Sequence, residues 1–401
     1  MSDATASLLV VTVDRLPAWM LSGYGSTWVS MPTCDALAAR GVVFDRLIAT
    51  GDDQFALLRD LVRPSADLFP AAEITVVSDD DSVVEILSGA GESAVRVAVR
   101  SGRDLAANEA ETNLGRLCNA AAAAVVPGRR QMIWCHASSL GISWDAPSSF
   151  REAYVDPDDP QPAAGAAVPE FPVDAETDPD LVMGARQVFA GQLTLLDRCL
   201  AGLVEAVAQR AGSAPWAVVF AGVRGLGLGL HGRVGCGSLP PFGELVHVPA
   251  IVVDAAGRMA AQRFDGLVTH ADLGVTLREL CGGPAAATGG GEPWEPRSLA
   301  GLHQSWAVAR RDRVLVSAST GAAVVTPGWH LIVPRPVAGG DGGRPVLFAK
   351  PDDFFEVCDV SDRSGTVADE LAGLASAVRS GDETTAWRTP LSPDAVVGGA
   401  A

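Results

Sequence analysis

The sequence is short of several features that would otherwise direct its interpretation. Only one of its 30 basic residues is a lysine, Lys350, and the other 29 are arginines. The formal net charge of −18 at pH 7 argues against nucleic acid as a partner, because phosphate backbones are held by clustered basic residues. Any chemistry that needs an active-site lysine therefore has a single candidate.

Long apolar runs and paired cysteines are also missing. No stretch approaches the roughly 20 apolar residues that a membrane-spanning helix needs. The apolar stretch 8–13 has only strand length, and no basic region or cleavage site accompanies it, so we expect no membrane association and a cytoplasmic location. Seven cysteines without a CxxC pair indicate free, mostly buried thiols rather than a zinc site.

What the sequence does contain is an alternation of β-rich apolar runs and helical patterns. This alternation is typical of a sheet covered by helices on both faces. We therefore predict an α/β fold, a three-layer sandwich with a mostly parallel central sheet. The predicted strands are 8–13, 73–78, 95–99, 132–136, 216–221 and 248–253, and the predicted helices are 31–40, 82–88, 113–125, 186–210 and 271–280.

Composition divides the chain into parts. Residues 156–180 hold eight acidic residues, six prolines and no basic residue, which predicts a solvated surface loop within an α/β domain of residues 1–292. A Gly- and Ala-rich break at 282–292 follows. We expect residues 293–390 to form a small antiparallel sheet with one helix, followed by a tail at 391–401. The predicted elements of this subdomain are strands at 314–317, 322–326, 330–333 and 346–348 and a helix at 367–380.

A series of short motifs runs along nearly the whole chain. They are TVDRL at 12–16, GYG at 23–25, GVVF at 41–44, VFAGVRGLGLGLHG at 219–232, VPAIV at 248–252, HADLGVTL at 270–277, RSL at 297–299 and PGWHL at 327–331. In this order the motifs resemble those of the sulfatase family in the alkaline-phosphatase superfamily. The resemblance implies the sulfatase fold, whereas function has to be argued from the site.

The resemblance also implies a divalent cation site, filled by Ca²⁺ or Mg²⁺ in active relatives. Its oxygen ligands would come from two carboxylates after the first strand and from a DHG-type turn. Here Asp14 is retained, but Arg15 replaces the second carboxylate and Arg224 lies in the turn. We therefore expect no metal and no other cofactor. We predict instead that Arg224 takes the metal position and pairs with Asp14, the alternative being that both arginines point to solvent.

The nucleophile implied by the family is missing as well. It would be a Cys or Ser in a CxPSR motif soon after GVVF, but residues 51–59 contain no Ser, Thr or Cys. Thr50 is the nearest hydroxyl and a weak candidate, and Arg59 stands near the arginine of the motif. His136 ends a predicted strand and is either a pocket residue or a hydrogen-bonded core histidine. His231 matches a position beside the metal site or is a hydrogen-bonded loop histidine.

The glycines of the 219–232 motif allow a second interpretation. Four glycines after a strand suggest a dinucleotide-binding loop, but their register differs from that fingerprint and no helix clearly follows.

Three hypotheses of function remain. The sequence favours a catalytically degenerate sulfatase-like protein, retained to bind a small anionic ligand or a partner protein. The second hypothesis is a metal-poor hydrolase of sulfuric or phosphoric esters that uses Thr50 or an activated water, with Arg15, Arg59 and Arg224 neutralising the oxyanion. The third is a purely structural subunit whose pocket has filled in. The sequence does not specify an oligomeric state.

Overall fold

The computed structural model describes residues 6–62, 73–88, 93–100, 102–212, 214–283, 292, 294–302, 310–335 and 343–397. Most of the predicted break at 282–292 lies outside these residues. The strands are β1 (Ser7–Val13), β2 (Val42–Ile48), β3 (Glu73–Ser78), β4 (Ser93–Arg96), β5 (Gln131–Ala137), β6 (Phe171–Pro172), β7 (Trp216–Gly222), β8 (Gly227–Leu228), β9 (Arg233–Gly235), β10 (His247–Val253), β11 (Gln262–Val268), β12 (Val314–Ala318), β13 (Gly321–Val325), β14 (Trp329–Pro334) and β15 (Val346–Ala349). The helices are α1 (Pro32–Arg40), α2 (Gln54–Val62), α3 (Asp81–Leu87), α4 (Asn113–Ala123), α5 (Ser148–Glu152), α6 (Pro179–Ala211), α7 (Gly243–Val246), α8 (His270–Leu280), α9 (Gly365–Arg379), α10 (Glu383–Arg388) and α11 (Pro393–Val397).

A central sheet organises the larger part of the chain. In the described residues it has eight strands in the order β11-β2-β10-β7-β1-β5-β3-β4, and all of its pairings are parallel except those of β10. The helices α2, α3 and α8 cover one face, and α1, α4 and α6 cover the other. The strands β1 and β5 are buried along their whole length, because both faces are covered. The predicted three-layer sandwich with a mostly parallel sheet is confirmed.

The C-terminal part forms an antiparallel sheet in the order β12-β13-β14-β15, with α9 on one side. Successive residues of a strand point to opposite faces. Leu315 and Leu331 therefore pack towards α9, whereas Val316 and Ile332 join the core of the central sheet. The small sheet predicted from the sequence is confirmed, and it shares a core with the larger domain.

Part of the predicted tail packs on this small sheet. Ala395 in α11 is fully buried, and Trp329 donates its indole N–H to the carbonyl of Asp394 at 2.7 Å. A buried small residue and a satisfied indole fix residues 393–397 against β14.

The acidic segment 156–180 is a surface segment with firm attachments. Most of its charged side chains are exposed, as the composition predicts. Ala166 is nevertheless fully buried, and its carbonyl accepts a hydrogen bond from the backbone N–H of Trp144 at 2.8 Å. Phe171 pairs with Val234 in a small sheet of β6, β9 and β8. The segment therefore has more to bury than its composition suggests, because a few apolar residues and backbone groups are enough to dock it.

Candidate functional site

The candidate site lies where three parallel strands end together. β1 is paired with β5 on one side and with β7 on the other. The pairing continues past the strand ends, since Asp14 donates its N–H to Ala137 at 2.9 Å and Leu16 donates to the carbonyl of Arg224 at 2.8 Å. Ligand sites of parallel α/β sheets form at this carboxyl edge. The topology therefore brings Asp14, Arg224 and His136 to one place.

Arg224 binds Asp14 through a two-point contact. Its Nε lies 2.9 Å from Oδ1 of Asp14, and its Nη2 lies 3.0 Å from Oδ2. The side chain of Asp14 is 4% exposed and that of Arg224 is 17% exposed. Burial alone would lower the pKa of Arg224, but the Asp14 charge outweighs it and the net shift is upward. Such bidentate ionic contacts are among the stronger hydrogen bonds in proteins. The salt bridge predicted from the sequence is present.

Two further contacts fix the pair. The Nη1 of Arg224 donates to the backbone carbonyl of Asp52. The carboxylate of Asp52 turns away and accepts the N–H of Ser319, at 3.1 Å and 3.0 Å to its two oxygens. Arg15 adds a second guanidinium, with its Nε 3.7 Å from Oδ2 of Asp14. One carboxylate is thus surrounded by two fixed positive charges.

This arrangement does not fit the Ca²⁺ or Mg²⁺ ion that the sulfatase motifs imply. A hard cation takes six or more oxygen ligands. Here both oxygens of Asp14 already accept from Arg224, and Arg15 and Arg224 would repel a cation. Throughout the part of the chain that the structure describes, no group of three or more His, Cys, Asp and Glu side chains is placed to hold a metal.

His136 lies in the middle of a chain of buried hydrogen bonds. The indole N–H of Trp134 donates to Thr12 Oγ1 at 3.0 Å, and Thr12 Oγ1 lies 2.9 Å from Nδ1 of His136. On the other side, Nε2 of His136 lies 3.0 Å from Oγ of Ser138, which donates to Oδ2 of Asp80 at 3.4 Å. An indole can only donate and a carboxylate can only accept. All links are satisfied when Nδ1 accepts from Thr12 and Nε2–H donates to Ser138.

The direction of these hydrogen bonds decides whether His136 can act as a base. A Nε2–H donor offers no lone pair to Ser138, so the histidine does not activate that hydroxyl as a nucleophile. Burial lowers the pKa of His136 to about 4, which keeps the ring neutral at pH 7. The candidate pocket residue is therefore a hydrogen-bonded core histidine, the alternative that the sequence also allowed.

The other sequence-predicted residues lie elsewhere. Thr50 lines a cavity of about 600 Å³ together with Thr269 and Trp387, and among its described lining residues Asp14 and Arg224 do not occur. Arg59 is exposed on α2. His231 stacks on Phe242 at 4.0 Å between ring centres, and its Nδ1 lies 3.1 Å from Glu244. The strand ends thus bring Asp14, Arg15, Arg224 and His136 to one edge, and among the described residues no side-chain hydrogen bond or ion pair links Thr50 or His231 to them.

Three further polar residues lie at this edge and were not predicted from the sequence. Asp79 and Asp80 follow β3, which is paired with β5, and Ser138 follows β5. Asp79 accepts the backbone N–H groups of Ser138 and Ser139 at 2.7 and 3.2 Å, and burial raises its pKa to about 6. The run of three aspartates directly after a predicted strand was the available signal.

Comparison with known proteins shows which solved structures share this fold. No family model and no curated protein matches the sequence. Solved structures do match: a phosphonate monoester hydrolase of Agrobacterium radiobacter is 14% identical, with a TM-score of 0.67 over 94% of this chain and 96% of that chain. A 2-O GAG sulfatase is 15% identical, with a TM-score of 0.67 over 98% and 96%.

A third matching structure contains D-glucosamine-2-N,6-O-disulfate as its substrate. It is 10% identical to this chain, with a TM-score of 0.69 over 95% and 98% of the two chains. The chain therefore has the fold of the sulfatases and phosphonate monoester hydrolases that it matches, as its motifs predicted. At these identities the likeness concerns the fold and does not extend to the chemistry.

A double-mutant cycle on Asp14 and Arg224 measures the strength of the pair. Breaking a fully buried pair from one side costs about 3–5 kcal/mol, and the partial exposure of Arg224 reduces this, so we expect Asp14→Ala to lower the unfolding free energy by about 2–4 kcal/mol. Arg224→Met in the Asp14→Ala background should have a much smaller effect than alone. Urea denaturation gives all four values.

The matched control is the exposed pair Glu73 and Arg129, which has a similar short contact of 2.7 Å but side chains that are 62% and 60% exposed. Its coupling energy should stay below about 1 kcal/mol. Additive effects of the two changes at Asp14 and Arg224 would contradict the geometry described above.

The buried state of His136 predicts a specific pH dependence. Its folded-state pKa of about 4 lies below the ordinary value of 6.5, so unfolding takes up a proton between these pH values. The stability from the neutral ring is therefore complete above pH 6.5 and is lost as the pH falls towards 4. In His136→Gln, the slope of unfolding free energy against pH near pH 5 should fall by up to about 1.4 kcal/mol per pH unit. An unchanged slope would show that His136 titrates normally.

Proposed function

We propose that this chain is a non-catalytic protein built on the sulfatase fold and retained to bind a small anionic ligand or a partner protein. One observation carries the proposal: both carboxylate oxygens of Asp14 are bonded to Arg224, where active relatives are expected to hold a cation. A charged side chain fixed inside the protein substitutes for an ion that would otherwise have to be bound from solution.

The rest of the machinery supports the same proposal. Residues 51–59 supply no hydroxyl or thiol, and among the described residues no side-chain hydrogen bond links Thr50 to Asp14 or Arg224. His136 donates to Ser138 rather than accepting from it. The single lysine, Lys350, lies 3.0 Å from Glu356, after β15 of the C-terminal sheet. Nucleophile activation and charge neutralisation by lysine therefore both lack their residues at the sheet edge.

The hydrolase hypothesis that relies on Thr50 or a water has no contact in its favour. Without a cation, Arg15 and Arg224 would have to stabilise the developing oxyanion, but the Asp14 carboxylate already neutralises part of their charge.

Two further points concern the setting of the protein. In the described part of the chain no helix is both long and apolar enough to cross a membrane. All seven cysteines are free thiols, and five of them are buried. Free thiols are typical of reducing compartments, and on this ground we propose a cytoplasmic location.

The proposal predicts no turnover of the esters that proteins of this fold would be tested on. With 4-nitrophenyl sulfate, 4-nitrophenyl phosphate and 4-nitrophenyl phenylphosphonate, in the presence of Ca²⁺ or Mg²⁺, the release of nitrophenol should equal that of heat-denatured protein. The reason is that, among the described residues of this edge, His136 leaves Ser138 unactivated, burial raises the pKa of the nearby Cys236 thiol, and Arg224 occupies both oxygens of Asp14. Turnover that is lost in Thr50→Ala and kept in Thr50→Ser would establish the hydrolase hypothesis instead. Turnover that is unaffected by either change would also overturn the proposal, in favour of an activated water.

A further inference from the structure

A second cavity lies between the central sheet and the C-terminal sheet. It has a volume of about 530 Å³, within the range of roughly 300–1,000 Å³ found for small-molecule sites. Ile48 and His247 line it from β2 and β10, and Val325 and His330 line it from β13 and β14. We call it the junction cavity. Its described lining contains neither Asp14 nor Arg224, so it is separate from the site above.

The arginines of the junction cavity are not equally neutralised. Arg310 forms an ion pair with Asp265 at 2.6 Å, and Arg263 forms one with Asp45, also at 2.6 Å. Arg46 is different, because its hydrogen bonds go to backbone carbonyls. Its Nε and Nη2 donate to the carbonyl of Asp265, the first at 2.8 Å, and its Nη1 donates to the carbonyl of Pro327 at 2.9 Å.

Carbonyl contacts satisfy donors without cancelling the charge. Arg46 is half-buried, and among the described residues it has no carboxylate within ion-pair distance. A guanidinium has five N–H donors, and three of those of Arg46 are used. Two donors are therefore available to an anion, and the charge of Arg46 is compensated only at longer range, by Asp265 and Asp45.

His330 also lines the junction cavity, and it has a ring nitrogen without a hydrogen-bond partner among the described residues. It is buried, and its Nδ1 lies 2.5 Å from Oε1 of Glu356. Glu356 is also held by Lys350 at 3.0 Å and by the N–H of Gly243 at 2.7 Å. A carboxylate only accepts, so Nδ1 carries a proton, and in the neutral ring Nε2 then has a lone pair.

That Nε2 has no hydrogen-bond partner among the described residues. A buried polar atom without a partner is costly, by about 1–3 kcal/mol. A donor supplied by a ligand would remove this cost. The cavity also has an apolar wall, to which Ile48, Val246, Val325 and Phe354 contribute.

We propose that the junction cavity binds a small organic anion that carries a hydroxyl group. The acidic head group takes the two remaining donors of Arg46, the apolar body lies against the side chains of Ile48, Val325 and Phe354, and the hydroxyl donates to Nε2 of His330. This assignment does not depend on whether the Asp14 site is catalytic.

Three related probes test the assignment in the full-length protein. Isothermal titration with 4-hydroxybenzoate, benzoate and phenol separates the contribution of the head group from that of the hydroxyl. We expect saturable one-site binding of 4-hydroxybenzoate, several-fold weaker binding of benzoate, and no saturable binding of phenol. Absence of saturable binding of both acids at millimolar concentration would overturn the proposal, and equal affinity of the two acids would remove His330 from it.

Variants then locate the site. Arg46→Met should weaken 4-hydroxybenzoate binding at least tenfold, whereas Arg379→Met, which removes the same charge from the exposed face of α9, should leave it unchanged. Equal affinity of the two variants would contradict the proposal. Because Arg46 also ties backbone segments together, thermal melting must show that the variant is folded. If Arg46→Met is not folded, Phe354→Ala is used instead. We expect this variant to bind 4-hydroxybenzoate several-fold more weakly. Unchanged binding would contradict the proposed site.

Discussion

The ion pair between Asp14 and Arg224 is the interaction that most constrains the chemistry of this protein. It places a guanidinium at the edge of the central sheet where proteins with these motifs are expected to hold a divalent cation. Two hydrogen bonds of 2.9 and 3.0 Å use both oxygens of Asp14, and Arg15 adds a second positive charge at 3.7 Å. The negative charge of Asp14 is thereby compensated from within the chain.

The fold tolerates this change because it depends on other residues. The strands that carry the site are buried along their length by helices on both faces, and their apolar side chains form the two cores. Asp14 and Arg224 lie just beyond the strand ends, where they add little to those cores. The fold and the site are therefore carried by different residues, and a structural likeness at 10–15% identity is compatible with the non-catalytic role that we propose.

Much of the fold could be predicted from periodicity, because β1, β3, β5, β7 and β10 are continuous apolar runs. β11 was not predicted, since its pattern QRFDGLV mixes charged and apolar residues and its pairing with β2 is irregular. Within the site, the Asp14–Arg224 pair followed from strand order and charge. The hydrogen-bond chain through His136 and the buried contacts of His231 with Glu244 did not. They depend on how the side chains are oriented, and the contacts of residues 134–138 with Thr12 and Asp80 join segments that no local pattern connects.

The most direct test of the account is a calorimetric titration of the protein with Ca²⁺ and with Mg²⁺, compared with Asp14→Ala. The Asp14 carboxylate is occupied by Arg224, and a cation would have to displace a guanidinium from it. We therefore predict no stoichiometric binding to either protein. A single site of micromolar affinity that is present in the wild-type chain and abolished by Asp14→Ala would contradict the account.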